Sequence, residues 1–148
     1  MNIDSVKGGI MTDRTRVLII DNDPHYAQAN SVFLDVYGYD VQTASTGALG
    51  LRMVEEGKPD IVVVDVMMDD ADEGFSIART ISLELDNHVP VIMLNSMEKA
   101  TGYSFKLEDH PDYFPVARLL DKPLSPGALA ENIREVLLKG YDSDTQSS

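Results

Sequence analysis

The sequence contains no cysteine, which excludes disulfide bonds, thiol catalysis and a cysteine-ligated zinc site. It also lacks an apolar run near the roughly 18 residues of a membrane-spanning helix, and its N-terminus has no charged segment leading into an apolar core. Basic residues are scarce: 12 Lys and Arg stand against 25 Asp and Glu, giving a formal charge of −13. These absences argue against binding to membranes or nucleic acid, and they predict a solvated cytoplasmic protein or one whose partner or ion is positively charged.

The length of 148 residues is that of one domain, large enough to bury a core without disulfides or a structural metal. Residues 1–15 show no hydrophobic period and are predicted to form a flexible leader. Residues 141–148 are predicted to form a disordered tail. The ordered domain is therefore expected to span residues 16–140, without internal repeats and without a second domain.

Two apolar segments end on an aspartate. Ile61 to Val64 are four consecutive β-branched residues followed by Asp65, a pattern typical of a strand that is covered on both faces. Residues 16–20 form a second buried segment, which is followed by Asp21. Ligands bind at the carboxyl ends of the strands in open α/β sheets, so both aspartates are candidate functional residues. An aspartate at a strand end can equally serve only to cap a turn.

Strand-like and helix-like segments alternate five times, which predicts an α/β fold with a doubly wound, five-stranded parallel sheet and right-handed crossovers. Gly57 is expected to end the second helix and Gly140 the last one. Residues 95–116 contain glycine and prolines and are predicted to be irregular where a fourth helix would lie. The first helix depends on apolar residues spaced three to four positions apart: Ala29, Val32, Phe33 and Val36. The predicted strands are 16–21, 40–44, 61–65, 89–94 and 117–121, and the helices are 24–37, 46–56, 75–85 and 125–140.

In a sheet of this kind the first and third strands are neighbours, so the side chains after both strands converge. Carboxylates gathered in one crevice repel each other unless a cation offsets them, and oxygen ligands suit a hard ion such as Mg²⁺. Lys122 reaches the same edge from the fifth strand, where it can pair with Asp65 or with an anion attached to it. This predicts a carboxylate that attacks a phosphoryl group while metal and lysine neutralise the developing charge. The candidate metal ligands are Asp21, Asn22, Asp23 and Asp65.

Four segments of the chain stand out together: Leu18 to Pro24, Ile61 to Met68, Pro90 to Leu94 and Asp121 to Leu124. They resemble the signature segments of the receiver domains of two-component response regulators. The resemblance covers residues 16–139 and implies a flavodoxin-like sheet with strand order 2-1-3-4-5. It further implies that Asp65 accepts a phosphoryl group from a histidine kinase or phosphotransfer protein. The acidic turn after the first strand would hold Mg²⁺, the backbone carbonyl of Met67 would join it, and Lys122 would bond the phosphorylated carboxylate.

The chain also departs from the family pattern. Asn22 stands where receivers carry a second acid that touches the metal, which predicts weaker Mg²⁺ binding, and Asp23 is an alternative donor. Asn95 stands where a serine or threonine bonds the phosphoryl oxygen, and its amide or the hydroxyl of Ser96 could donate that bond. Leu119 replaces a switch aromatic residue, so any aromatic reorientation works differently or is absent.

Three functions stay open at this stage. The first is a phosphoacceptor switch that signals by conformational change to a downstream protein and is not a turnover enzyme, with a homodimer as one further candidate assembly. The second is a pseudo-receiver in which Asp65 and Lys122 form only a structural ion pair and the module binds its partner without phosphate. The third is an aspartyl-phosphate hydrolase, which generally needs a second acid and a substrate cap, and neither is evident.

Overall fold

The computed structural model describes residues 14–65, 73–85, 89–95, 116–122 and 124–146. Its strands form one parallel sheet in the order β2-β1-β3-β4-β5, which confirms the predicted doubly wound, flavodoxin-like α/β fold. The strands are β1 (Arg16–Ile20), β2 (Asp40–Ala44), β3 (Ile61–Asp65), β4 (Val91–Asn95) and β5 (Arg118–Asp121). The helices are α1 (Pro24–Val36), α2 (Gly47–Gly57), α3 (Glu73–Thr80) with a π-helical turn (Ile81–Leu85), and α4 (Pro126–Gln146).

Strand β3 lies at the centre of the sheet, with apolar layers on both faces. Its first four residues have no exposed surface, because alternate side chains enter opposite layers. One layer packs Val62 and Val64 against Phe75, and the other packs Ile61 and Val63 against the α4 side. The buried β-branched run therefore fixes the position of Asp65 at the strand end, as the sequence pattern predicted.

The predicted apolar face of α1 is wrong at three of its four residues, whereas the fourth, Phe33, is half-buried and packs against the core as expected. Ala29 is exposed, Val32 is 55% exposed and Val36 is 80% exposed. The buried residues of this helix are instead Ala27, Asn30 and Leu34. The helix carries two apolar stripes at similar spacing, and packing against the sheet and α4 decides which one turns inward.

Several element ends also differ from prediction. Helix α2 ends at Gly57 as predicted, but the residue in the left-handed conformation, at φ 48°, is the following Lys58 and not the glycine. Helix α4 continues through Gly140 to Gln146, because one interior glycine costs a helix only about 1 kcal/mol. Most of the predicted disordered tail is thus helical, and residues 147–148 lie outside the described residues.

The last two residues of the predicted leader are bonded to the domain, and residues 1–13 lie outside the described part. The Arg14 guanidinium donates to the carbonyl oxygens of Asp35, Gly38 and Tyr39 at 2.9, 2.9 and 2.7 Å. Arg14 thereby donates to carbonyl oxygens in the last turn of α1 and just after it. Among the described helices, none is both long and apolar enough to cross a bilayer.

Gly50→Ala is expected to destabilise the domain by about 1–2 kcal/mol, because α2 lies too close to β1 for a methyl group. An added Cβ would be 2.5 Å from Ile20 Cδ1 and 2.7 Å from Ile20 Cγ1, and Ile20 is fully buried. The better helix propensity of alanine offsets only part of this overlap. Urea denaturation measures the loss, and Gly127→Ala, whose Cβ would lie 3.7 Å from Phe33 Cζ, is the control. Equal stability of Gly50→Ala and the parent would contradict the close approach.

Candidate functional site

Two aspartates lie side by side at the carboxyl edge of the sheet. Ile20 of β1 pairs with Val64 of β3, so Asp21 and Asp65, which follow these residues, emerge from adjacent strands. Asp21 is 2% exposed and Asp65 is 4% exposed. Two carboxylates so deeply buried repel each other strongly unless a cation lies between them.

Lys122 supplies that cation. Its Nζ donates to Oδ2 of Asp21 and to Oδ2 of Asp65, both at 3.3 Å. The backbone N–H of Lys122 donates to the Asn95 carbonyl oxygen at 2.9 Å, which continues the β4–β5 ladder by one residue. The sheet therefore holds the lysine in place, and the structure brings three of the predicted site residues together.

The electrostatics of this triad favour a charged ammonium. Burial lowers the pKa of Lys122, but the attraction of Asp65 and Asp21 outweighs it and leaves the pKa above its usual value of 10.5. Two carboxylates and one ammonium leave one net negative charge in the crevice. The site therefore still attracts a cation.

Tyr26 is a site residue that the sequence analysis missed. Lys122 Nζ lies 4.3 Å from the centroid of its ring, within cation–π range. The Tyr26 hydroxyl donates to the Leu124 carbonyl oxygen at 3.2 Å. Burial raises the pKa of Tyr26 above 10.0. No motif marks this tyrosine, because its contacts join residues 98 positions apart in the chain.

Stability is expected to fall at alkaline pH because of this cluster. The folded pKa values of Lys122 and Tyr26 lie above the ordinary 10.5 and 10.0, so the folded state holds both protons more tightly than the unfolded state. Their contribution is complete below pH 10 and is lost as pH rises through the folded values. Urea titrations between pH 8 and about 11 measure the loss, which Lys122→Met should reduce. If the free energy of unfolding depends on pH in this variant as it does in the parent, the assignment of the alkaline loss to Lys122 is contradicted.

The turn after β1 is organised by its own side chains. Asp21 Oδ1 accepts from the Asp23 N–H at 2.9 Å. Asp23 Oδ1 accepts from the N–H groups of His25 and Tyr26 at 3.1 and 3.3 Å, which makes Asp23 the N-cap of α1. Asn22 is exposed beside them. The structure thus gives Asp23 a helix-capping role, which sequence spacing alone did not distinguish from a metal donor.

Asn95 is a further predicted site residue, and it contacts Asp121 on the neighbouring strand. Asn95 is 5% exposed, and its Nδ2 donates to Asp121 Oδ1 at 3.2 Å across the β4–β5 pair. Its amide therefore points toward the acid beside Lys122. Ser96 and Met67 lie outside the described residues.

The donor set fits a hard divalent ion. No group of three or more histidine, aspartate or glutamate side chains arranged for metal binding occurs in the described ranges. Magnesium commonly takes only one or two protein carboxylates and completes its octahedron with water and phosphate oxygens. Asp21 and Asp65, with the Asn22 amide oxygen nearby in the chain, supply that kind of donor.

A doubly wound parallel sheet with buried acids and a lysine at its carboxyl edge defines the class of this protein as a flavodoxin-like α/β domain with an acid–lysine site. Residues 17–134 match the family profile described as "Response regulator receiver domain". The chain therefore belongs to the receiver domain family of two-component response regulators.

Named relatives and solved structures agree with this family. The chain is 28% identical over 135 residues to "DNA-binding response regulator MtrA" of Mycolicibacterium smegmatis, covering 91% of the chain and 56% of the relative. It is 31% identical over 132 residues to "Transcriptional regulatory protein AfsQ1" of Streptomyces coelicolor, covering 89% and 55%. The chain thus spans about half the length of these relatives. A CheY-like receiver domain from Methanospirillum hungatei superposes with a TM-score of 0.75 at 24% identity, covering 88% of this chain and 99% of that one. At that identity the superposition shows the fold.

Proposed function

We propose that this domain is a phosphoacceptor switch in which Asp65 carries the phosphoryl group. The observation that supports it best is the pairing of a nearly inaccessible Asp65 carboxylate with the Lys122 ammonium at 3.3 Å, at the sheet edge where ligands bind. Asp21 shares the same ammonium. A structural ion pair needs only one acid for one lysine, whereas the surplus acid here leaves a place for a further cation.

The proposed reaction is transfer from a phosphohistidine of a histidine kinase or phosphotransfer protein. An Asp65 oxygen attacks phosphorus, the P–N bond breaks, and the histidine nitrogen keeps the electron pair and takes a proton from solvent. Lys122 then bonds the new phosphoryl oxygen and offsets its charge. Bound Mg²⁺ supplies further charge neutralisation for the transferring phosphoryl group. The residues that would hold the ion are Asp21, Asn22, Asp65 and, through its carbonyl, Met67.

The proposal also includes where the domain acts and how it passes on the signal. The switch acts in the cytoplasm, signals to a downstream protein by conformational change, and does not turn over an external substrate. The formal charge of −13 supports the expectation that this segment itself does not bind nucleic acid. Two relatives are named as DNA-binding or transcriptional regulators, and the part of them that this chain matches is about half of their length.

Intact-protein mass spectrometry tests the proposal. With acetyl phosphate and Mg²⁺ the mass should rise by one phosphoryl group, and chelation of Mg²⁺ should slow the gain strongly. Reductive labelling of the aspartyl phosphate followed by peptide mapping should place it on Asp65. Failure to label both with acetyl phosphate and with a panel of phosphorylated histidine kinases would overturn the proposal.

Asn22→Asp is expected to tighten Mg²⁺ binding by about five- to tenfold. The added carboxylate lies next to Asp21, and one more unit charge near the ion contributes on the order of 1 kcal/mol in a wet site. Isothermal titration with MgCl₂ measures the change. Gln42→Glu on strand β2 adds the same charge at an exposed position outside the site and is the control. Equal tightening in both variants would mean that overall charge, rather than the turn after β1, governs the affinity.

A pseudo-receiver is the second candidate, and the Asn95 contact favours it. The amide that would meet a phosphoryl oxygen already donates to Asp121 at 3.2 Å. In this alternative the Asp65–Lys122 pair is structural, and the partner binds the unmodified domain. Partner affinity measured on phosphorylated and unphosphorylated protein separates the two functions, because only the switch predicts a difference.

A further inference from the structure

The side chain of Lys122 is enclosed on three sides. Two sides are the carboxylates of Asp21 and Asp65, and the third is the ring of Tyr26. Only 14% of the lysine side chain is exposed. Both ion pairs measure 3.3 Å, longer than the roughly 2.8 Å of an optimal ammonium–carboxylate bond, so neither acid holds the ammonium closely by itself.

Tyr26 is itself held at both ends. Its backbone N–H donates to the capping carboxylate of Asp23 at 3.3 Å, which ties it to the turn that contains Asp21. Its hydroxyl donates to the Leu124 carbonyl oxygen at 3.2 Å, two residues after Lys122. The ring therefore spans from the start of α1 to the segment after β5. A side chain fixed in this way presents its face to the ammonium without further loss of rotamer freedom.

We infer that Tyr26 is a positioning residue for phosphoryl transfer, and that its ring face keeps the Lys122 ammonium beside the Asp65 carboxylate. This inference rests on the proposed function. An ammonium confined between two acids and a π face approaches a phosphoryl oxygen on Asp65 with little motion. Without the ring, water replaces the third side, and the flexible lysine stem explores positions away from Asp65.

Substitutions can separate the contribution of the Tyr26 ring face from that of its hydroxyl. Tyr26→Phe keeps the ring face and removes the bond to Leu124, whereas Tyr26→Leu keeps an apolar side chain and removes the π face. We expect Tyr26→Leu to slow labelling by acetyl phosphate at saturating Mg²⁺ about three- to tenfold, the range of a partly buried cation–π contact. Tyr26→Phe should restore most of that rate. Tyr37→Leu, on an exposed tyrosine that follows the same helix, is the matched control and should leave the rate unchanged.

A second measurement does not depend on phosphorylation. In the unmodified protein the aromatic ring current should shift the ε-methylene protons of Lys122 upfield, and Tyr26→Leu, but not Tyr26→Phe, should remove that shift. Urea denaturation of each variant shows whether it is folded under the assay conditions. Equal rates for Tyr26→Leu and the parent, or equal slowing by the Phe and Leu variants, would overturn the inference. Absence of labelling in the parent would instead defeat the proposed function, while the proton shift would still decide whether the ring lies on the ammonium.

Discussion

Asp65→Asn is expected to abolish phosphoryl transfer to the domain. The amide is nearly isosteric with the carboxylate but is not a nucleophile toward phosphorus, so the loss should be complete within the detection limit. The fold should survive, because the substitution keeps the volume and removes one of two buried like charges. Intact mass after incubation with acetyl phosphate and Mg²⁺ measures the result. Asp40→Asn, at an exposed position of β2, is the control and should label like the parent.

Because Asp21 has nearly the same surroundings as Asp65, the test requires a substitution at each aspartate. Asp21 lies at the same 3.3 Å from the Lys122 ammonium as Asp65, and it is equally buried. If Asp65→Asn still gains a phosphoryl group and Asp21→Asn does not, the acceptor is the aspartate after β1 and the proposed roles are reversed. Labelling that survives both substitutions would place the modification elsewhere and reject the site.

Lys122→Met is expected to lower the free energy of unfolding at pH 7 by about 3 kcal/mol, the cost of removing one partner from a buried charge cluster. The two carboxylates it neutralises are 2% and 4% exposed, so water cannot replace the ammonium well. Millimolar Mg²⁺ should restore part of the loss, because an ion bound by the two carboxylates stabilises only the folded state. Urea denaturation at pH 7, with and without MgCl₂, measures both effects.

Arg134→Met is the matched control for this loss. Arg134 pairs with Glu131 one turn away on α4, and both side chains are more than half exposed, at 60% and 55%. Exposed ion pairs of this kind contribute at most a few tenths of a kcal/mol. Comparable losses in the two variants would mean that Lys122 contributes through general charge balance. If Lys122→Met is as stable as the parent, burial of the two carboxylates does not require the ammonium.

The central part of the fold was predictable because its signals are local. The apolar run from Ile61 to Val64 is typical of a strand covered on both faces, and the residue that ends such a strand lies at the carboxyl edge. The juxtaposition of Asp21, Asp65 and Lys122 then followed from the order of the strands. The family resemblance added the expected role of each residue, but the distances come from the structure alone.

The misplaced features depend on tertiary contacts that the sequence does not encode locally. The face of α1 was wrong at most positions because Val32 and Val36 satisfy the helical spacing as well as Leu34 does, and only packing against the sheet and α4 chooses between them. Tyr26 has no neighbouring signal, since its ring and hydroxyl contact a segment that follows β5. The bond of Asn95 to Asp121 likewise depends on the register of the last two strands, and its predicted bond to a phosphoryl oxygen stays a prediction.

The Arg14 anchor has a practical consequence for experiments on this protein. Arg14 is fixed to the end of α1 just before β1 begins, whereas Asp65 lies where β3 ends. In a parallel sheet of five-residue strands these points are separated by roughly 16 Å along the strand direction. A fluorescent dye or an immobilisation tether placed directly before Arg14 will therefore sit on the opposite rim from the chemistry, so an immobilised sample should keep its reactive face open to solution.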